Sequence, residues 1–302
     1  MDIAYPVPRT AILVYNMFDI PGLFYGIRSR LLGGRVRRKK SDEWDKTIAT
    51  ISPYGHADSS SQLLQRAEQL LDDKVEQQVF KIRLAHSNER VNFASMLVQR
   101  KYASCGLQSN HFQKTPGRIT LMAFQGNAVT GTLTLGMDTP NGLLADELYK
   151  PEIDSLRAAG HKVCELTALA IDQPQTSKRV LAALFHIAYI YGRVMQGHTD
   201  VVIEINPRHA SFYKRMLGFK EFGPERLCRR VNAPAVLLRL EIGYVDRQIE
   251  LLGGKTEAAR GERSLYPYFF AKNDEIGICN RLTRGDDKNV EIGISDRMAR
   301  RE

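Results

Sequence analysis

Two periods of apolar and polar residues alternate along the middle of the chain. Gln78 to Ala85, the run RITLMAF after Gly117, and AVTGTLTLGMD after the turn Gln125-Gly126-Asn127 read as strands. The turn predicts an antiparallel hairpin from the last two. Between the first two, Ser87 or Asn88 can cap a helix whose apolar side carries Val91, Ala94, Met96, Leu97 and Val98, ending near Tyr102. Glu152 to Ala159 predicts a short helix stopped by Gly160. HKVCELTALAID is too continuously apolar for an edge strand and predicts a central one. A long helix over Ser177 to Gln196, a buried strand VVIEI, a short helix Ala210 to Leu217 closed by Gly218, and paired strands at Phe219 to Phe222 and Ala235 to Glu241 complete the series. This order predicts an α+β fold, a mixed central sheet of roughly six or seven strands with helices on both faces.

The flanks differ in texture. Residues 1–75 form an N-terminal arm with an apolar stretch, a basic cluster and a polar linker; 76–250 form the folded core; 251–302 form a mixed-charge tail in which Ser264 to Ala271 can pack. Among 302 residues, 43 basic against 34 acidic give a charge of +9, a balance that invites nucleic acid, anionic lipid or an acidic protein. Seven of the cations lie between Arg28 and Lys40 with no acid among them, so the rest of the chain taken together is nearly neutral. No aromatic-basic interleaving or reading motif supports a nucleic-acid partner. The apolar and basic stretch 11–40 fits docking on an anionic membrane surface, with a solvated arm or a protein contact as alternatives. Cys105, Cys164, Cys228 and Cys279 stand too far apart for a zinc site, so no metal is expected. Sparse cysteine, no signal-peptide order and no long apolar run predict a cytoplasmic protein, peripheral at the inner face of the membrane if the arm docks there.

The stretch from ELTALAID through QPQTSKRV and the long helix to DVVIEIN and PRHASFYKRMLGF resembles the second half of the Gcn5-related N-acyltransferases. Their closing signature is matched by Asn206, Phe212, Tyr213, Leu217, Gly218 and Phe219. Acetyl-CoA users of that superfamily carry glycines where this chain has Gln175, Thr176, Ser177, Lys178, Arg179 and Val180, and no glycine occurs between Gly160 and Gly192. Without a glycine cradle for a pyrophosphate, a hydroxyl, two cations and a helix N-terminus suit a single phosphate. That pattern resembles the acyl-homoserine-lactone synthases and, more closely, the long-chain N-acyl amino acid synthases. The resemblance implies acyl-phosphopantetheine on an acidic acyl carrier protein as co-substrate, acyl-CoA being the other donor, and no tightly bound cofactor. Ser177, Lys178 and Arg179 would meet the phosphate and the carrier surface.

Amide formation from a thioester needs a neutral amine, a donor for the developing oxyanion and a proton for the leaving thiol. Glu165, on the central strand, is the candidate base, because related synthases are thought to use a glutamate on the corresponding strand; a structural carboxylate is the alternative. By the same resemblance, backbone N–H groups of Ala168, Leu169 and Ala170 would hold the thioester, and Tyr213 would serve the thiol. An amino acid acceptor's carboxylate calls for a cation, for which Arg83, Arg90 and Arg100 are available. His186 inside AALFHIAYIYG reads as a core or cleft histidine, and His209 is a further base candidate. Apolar residues from Val180 to Met195, with Met96, Leu133 and Leu135, could line a slot for a long acyl tail or simply form core. The reading is an N-acyltransferase making N-acyl amino acids. An acetyl-CoA-dependent N-acetyltransferase, homoserine-lactone synthesis, and a non-catalytic acyl-binding or membrane-adaptor protein are the alternatives.

Overall fold

A computed structural model describes residues 47–51, 79–85, 88–103, 116–172, 178–256 and 261–286. Ser177 and the stretch 11–40 lie outside these residues. Eight strands form one sheet: β1 (Ala49–Ile51), β2 (Phe80–Leu84), β3 (Arg118–Gln125), β4 (Ala128–Met137), β5 (Val163–Ile171), β6 (Asp200–Ile205), β7 (Lys220–Cys228) and β8 (Ala233–Glu241). Their order across the sheet is β1-β2-β3-β4-β5-β6-β8-β7. The apolar run 163–171 is central, as its composition requires, and β5 with β6 is the parallel pair in an otherwise antiparallel ladder. β1 is the strand that the pattern does not predict. Three residues are too few to show a period, and only their register opposite Phe80 to Ile82 makes them a strand.

Period-two alternation divides the sheet between two helical layers. Leu121, Ala123, Leu133, Leu135, Cys164 and Ile203 pack with α3 (Lys178–Tyr189), α4 (Ala210–Leu217), α5 (Ile242–Leu252) and α6 (Lys272–Asp286). On the other face Met122 and Phe124 meet Ala94 of α1 (Asn88–Ala103), while Val163 and Val202 meet Ile153 and Leu156 of α2 (Asp146–Ala158). The expectation of a mixed sheet clad on both faces holds. Asn206 ends β6 and caps the following turn, its Oδ1 accepting from the Arg208 N–H. Gly218 supplies the left-handed residue that closes α4, at φ 83°.

The C-terminal region is where texture and structure part. Leu265, Tyr266, Phe269, Phe270, Ile278 and Leu282 are buried in the main core, so the residues set apart as a tail complete the helical layer. Charge along 251–302 conceals this, because the buried residues are few and separated by polar ones. The anchor is His186, fully buried in α3. Its Nδ1 accepts from the Phe270 N–H at 2.9 Å, and its Nε2 faces Glu275 Oε1 at 3.3 Å. The ring stacks on Phe269 and Phe270. With Nδ1 accepting, the proton sits on Nε2 and points at the carboxylate. Burial pushes the Glu275 carboxyl up, but hydrogen bonds from His186 and Lys272 outweigh it and hold the group below its ordinary value. His186→Leu therefore strands a buried N–H and weakens a buried carboxylate. Urea unfolding should show a loss of about 2–4 kcal/mol; a loss below about 0.5 kcal/mol would contradict this role.

Candidate active site

Glu165 is a buried carboxylate held from three sides. It is 1% exposed, and its Oε1 accepts from Arg118 Nη2 at 2.5 Å and from the Leu144 N–H at 2.9 Å, while Oε2 accepts from the Ala145 N–H at 3.1 Å. Leu144 and Ala145 lead into the N-terminus of α2, where Ala145 offers no side-chain cap. The carboxylate thus does for this helix end what a capping side chain would do. Gly136, opposite Glu165 in the register, makes the room. A Cβ there would lie 3.0 Å from Glu165 Cγ and 3.1 Å from Oε1. A carboxylate has about four lone-pair positions, and three are taken. One remains on Oε2, and Glu165 lines a cleft of about 580 Å³ with Arg118, Thr134, Asn141, Thr167 and Arg230. Burial raises the Glu165 pKa, partly offset by the Leu144 and Ala145 N–H groups and by Arg118 and Arg230. A carboxylate so placed is a stronger base than an exposed one.

Beyond Glu165 the sheet opens. The β5–β6 ladder stops at Glu165 and Val202, although β5 continues to Ile171 and β6 to Ile205. Next to the opening, β4 advances from Thr132 to Thr134 while β5 advances from Ala170 back to Thr167, so β5 carries an extra residue. That bulge sits on Ala168, whose φ of 53° is left-handed, an unfavourable conformation for a residue with a Cβ. Thr132 Oγ1 donates to the Ala168 carbonyl at 2.8 Å and pins it. Ala168 and Leu169 drop out of the ladder and line a second cavity, shared with Tyr102, Thr167, Asn206, His209 and Tyr213. Ala170 falls back into register opposite Thr132 and lines neither cavity. Of the three backbone groups singled out for the thioester, the fold brings two to the opening.

Tyr213 is buried on α4, edge-on to Phe212 and Phe219, and burial pushes its phenol pKa well up. His209 is held neutral by burial and the nearby Arg208, its pKa lowered to about 4. Two buried atoms on this second cavity, Thr167 Oγ1 and His209 Nε2, have no hydrogen-bond partner among the described residues. Such orphans cost about 1–3 kcal/mol each, and a ligand with amide groups would satisfy them.

The arginines read from the sequence for an acceptor lie elsewhere. Arg83 reaches Thr47 and the Phe124 ring, Arg90 donates to the Leu84 carbonyl, and Arg100 pairs with Asp172. None lines the cleft; Arg118 and Arg230 do. Among the described residues Glu165 is the sole polar partner of Arg118, which leaves Nε and Nη1 unengaged. Arg230 donates to Glu204 at 2.7 Å, and its Nε lies 3.0 Å from Glu147 at an angle too poor for a hydrogen bond. Only cross-strand pairing brings Arg118 to Glu165, so the signal lay in the register and not in any local motif. Lys178 and Arg179 are half-buried at the start of α3, whose first turn has no acidic residue. Among the described residues no cluster of His, Cys, Asp and Glu could hold a metal, and no helix is long and apolar enough to cross a membrane.

The splayed parallel pair and the bulge beside it, in a mixed sheet clad by helices on both faces, are the fold of the Gcn5-related N-acyltransferases. Residues 94–241 match the family model of the N-acyl amino acid synthase FeeM, and it is the N-acyl amino acid synthases that this acyltransferase resembles. The structure is similar to that of FeeM, an N-acyl amino acid synthase from uncultured soil microbes, at 26% identity and a TM-score of 0.51, over 54% of this chain and 92% of that one. The acyl-homoserine-lactone synthase LasI is more distant, at 14% identity and a TM-score of 0.38, over 54% and 90% of the two chains. An acyl-CoA N-acyltransferase from Pseudomonas aeruginosa stands at 13% and 0.38, over 53% and 98%. No curated protein matches the chain.

Proposed function

We propose that the protein transfers a long-chain acyl group from an acyl carrier protein thioester to the amino group of an amino acid, releasing an N-acyl amino acid. The observation that carries this reading is the pairing of Glu165 with Arg118 at one end of the opening between β5 and β6. The open donors of Arg118 suit the acceptor's carboxylate, and the free lone pair of Glu165 suits its ammonium. One guanidinium thus orients both the base and the amine it serves.

The ammonium gives one proton to Glu165. The neutral nitrogen then attacks the thioester carbon, the new oxyanion is held by N–H groups released at the Ala168–Leu169 bulge, and the C–S bond breaks. The nitrogen's second proton leaves as the amide forms and passes to the sulfur, so the turnover releases a thiol and one net proton. Tyr213, kept protonated by burial, donates a hydrogen bond to the departing sulfur. Full proton transfer from a phenol of such high pKa to a thiolate of ordinary pKa, about 8.5, is uphill. Thr167 and His209 would bond the amides of the pantetheine arm, and Lys178 and Arg179, with Ser177 assigned beside them from the sequence, would meet its phosphate and the carrier's acidic surface.

The donor is tested by charge reversal. Lys178→Glu combined with Arg179→Glu should raise KM for an acyl carrier protein donor by about tenfold or more at low salt, with the acceptor KM unchanged. An unchanged donor KM would remove this contact. Acetyl-CoA as donor is the second reading, and the glycine-free stretch before α3 weighs against it.

A further inference from the structure

A third cavity adjoins the second, with Leu166 and Phe185 lining both. It is narrow and almost wholly apolar, running between β5, α3 and the C-terminal layer. Two features close it. The first is the π-helical segment Ile190–Met195, which ends α3 and contributes Gly192 and Arg193. Wider π turns mark places where a helix is adapted to a function. Here the turn is braced by Asp246 of α5, which accepts from Tyr189 and Arg193 at 2.9 and 2.8 Å. The second feature is the pair Tyr266 and Phe269, whose rings lie 5.0 Å apart. Both belong to the C-terminal segment, beyond the residues 94–241 that match the synthase family. Tyr266 donates to the Leu217 carbonyl, and the next residues are pinned by His186.

We propose that the C-terminal segment, through Tyr266 and Phe269, forms with the π turn at Gly192 the end wall of an acyl slot, and so sets the length of tail the enzyme accepts. The occupant is the donor's hydrocarbon chain, because the slot adjoins the cavity lined by Thr167, Ala168 and Tyr213, with only Leu166 and Phe185 common to both linings, and presents almost no polar surface. The inference rests on the acyl-transfer reading of that neighbouring cavity. The wall can be moved both ways. A Cβ on Gly192 would meet Leu135 at 3.5 Å and Cys164 at 3.7 Å. These are ordinary contacts, so alanine fits and narrows the slot. Phe269→Leu shortens the opposite side.

The test is competition among saturated acyl carrier protein thioesters from octanoyl to stearoyl, with products separated by mass spectrometry. Gly192→Ala should move the preferred tail to shorter chains, by roughly one or two methylenes, and Phe269→Leu to longer ones. Circular dichroism and thermal melts confirm that each variant is folded. If Phe269→Leu does not fold, Gly192→Ala alone decides. A wild-type length profile in folded variants overturns the wall while leaving acyl transfer standing. Absence of any product from wild-type protein overturns the acyl-transfer reading, and the wall with it.

Discussion

Glu165→Gln lowers kcat/KM for amide formation by about 10²–10⁴-fold, the range expected when a positioned general base is lost. The glutamine side chain is nearly isosteric, and its oxygen can still accept from Arg118 and Leu144. It has no lone pair for the acceptor's proton, and its amino group faces the Ala145 N–H that Oε2 now satisfies. The fold loses only a part of one helix end, so a melt should still show a cooperative transition. Steady-state rates within about threefold of wild type would remove Glu165 as the base. The pH dependence carries the same information. The base works deprotonated, so activity rises as pH climbs through its folded pKa. Because burial raises that pKa, the acid limb of kcat/KM should lie above the ordinary carboxylate range, and Glu165→Gln should abolish it.

Arg118→Gln has two effects that a merely structural arginine would not combine. It removes the cation assigned to the acceptor's carboxylate, so KM for the amino acid should rise by about 10–100-fold, the equivalent of one charged hydrogen bond, while KM for the acyl donor stays put. It also removes an interaction that lowers the Glu165 pKa, so the acid limb should move to higher pH. Competition sharpens the reading. Wild type should prefer an amino acid over the amine lacking its carboxylate, and the variant should lose that preference. An acceptor KM and an acid limb both unchanged would place the acceptor's carboxylate elsewhere.

The architecture was largely legible because strands and helices here keep clean periods. The run 163–171 is apolar apart from Glu165 and Thr167 and is central; the threonines at 130, 132 and 134 alternate with Leu133 and Leu135 and divide the hairpin between its two faces. The resemblance of the central strand supplied Glu165 and that of the closing segment Tyr213, and the fold sets both on cavities at the opening. What stayed hidden depends on tertiary register. Arg118 lies 47 residues from Glu165, and only pairing of β3, β4 and β5 brings them together. The bulge at Ala168 leaves no mark, because alanine is not a residue that predicts a left-handed conformation. Arg83, Arg90 and Arg100 matched by charge alone, and each is engaged elsewhere. The C-terminal layer was hidden by its charged surface, which masks a few buried aromatics.

The most direct test incubates the purified full-length protein with an equimolar amino acid mixture and matched long-chain acyl carrier protein, long-chain acyl-CoA and acetyl-CoA donors, with products read by mass spectrometry. Long-chain N-acyl amino acids are expected, formed fastest from the carrier protein thioester and lost with Glu165→Gln. Acetylated amino acids from acetyl-CoA as the sole products, or products formed equally well by Glu165→Gln, would contradict this expectation.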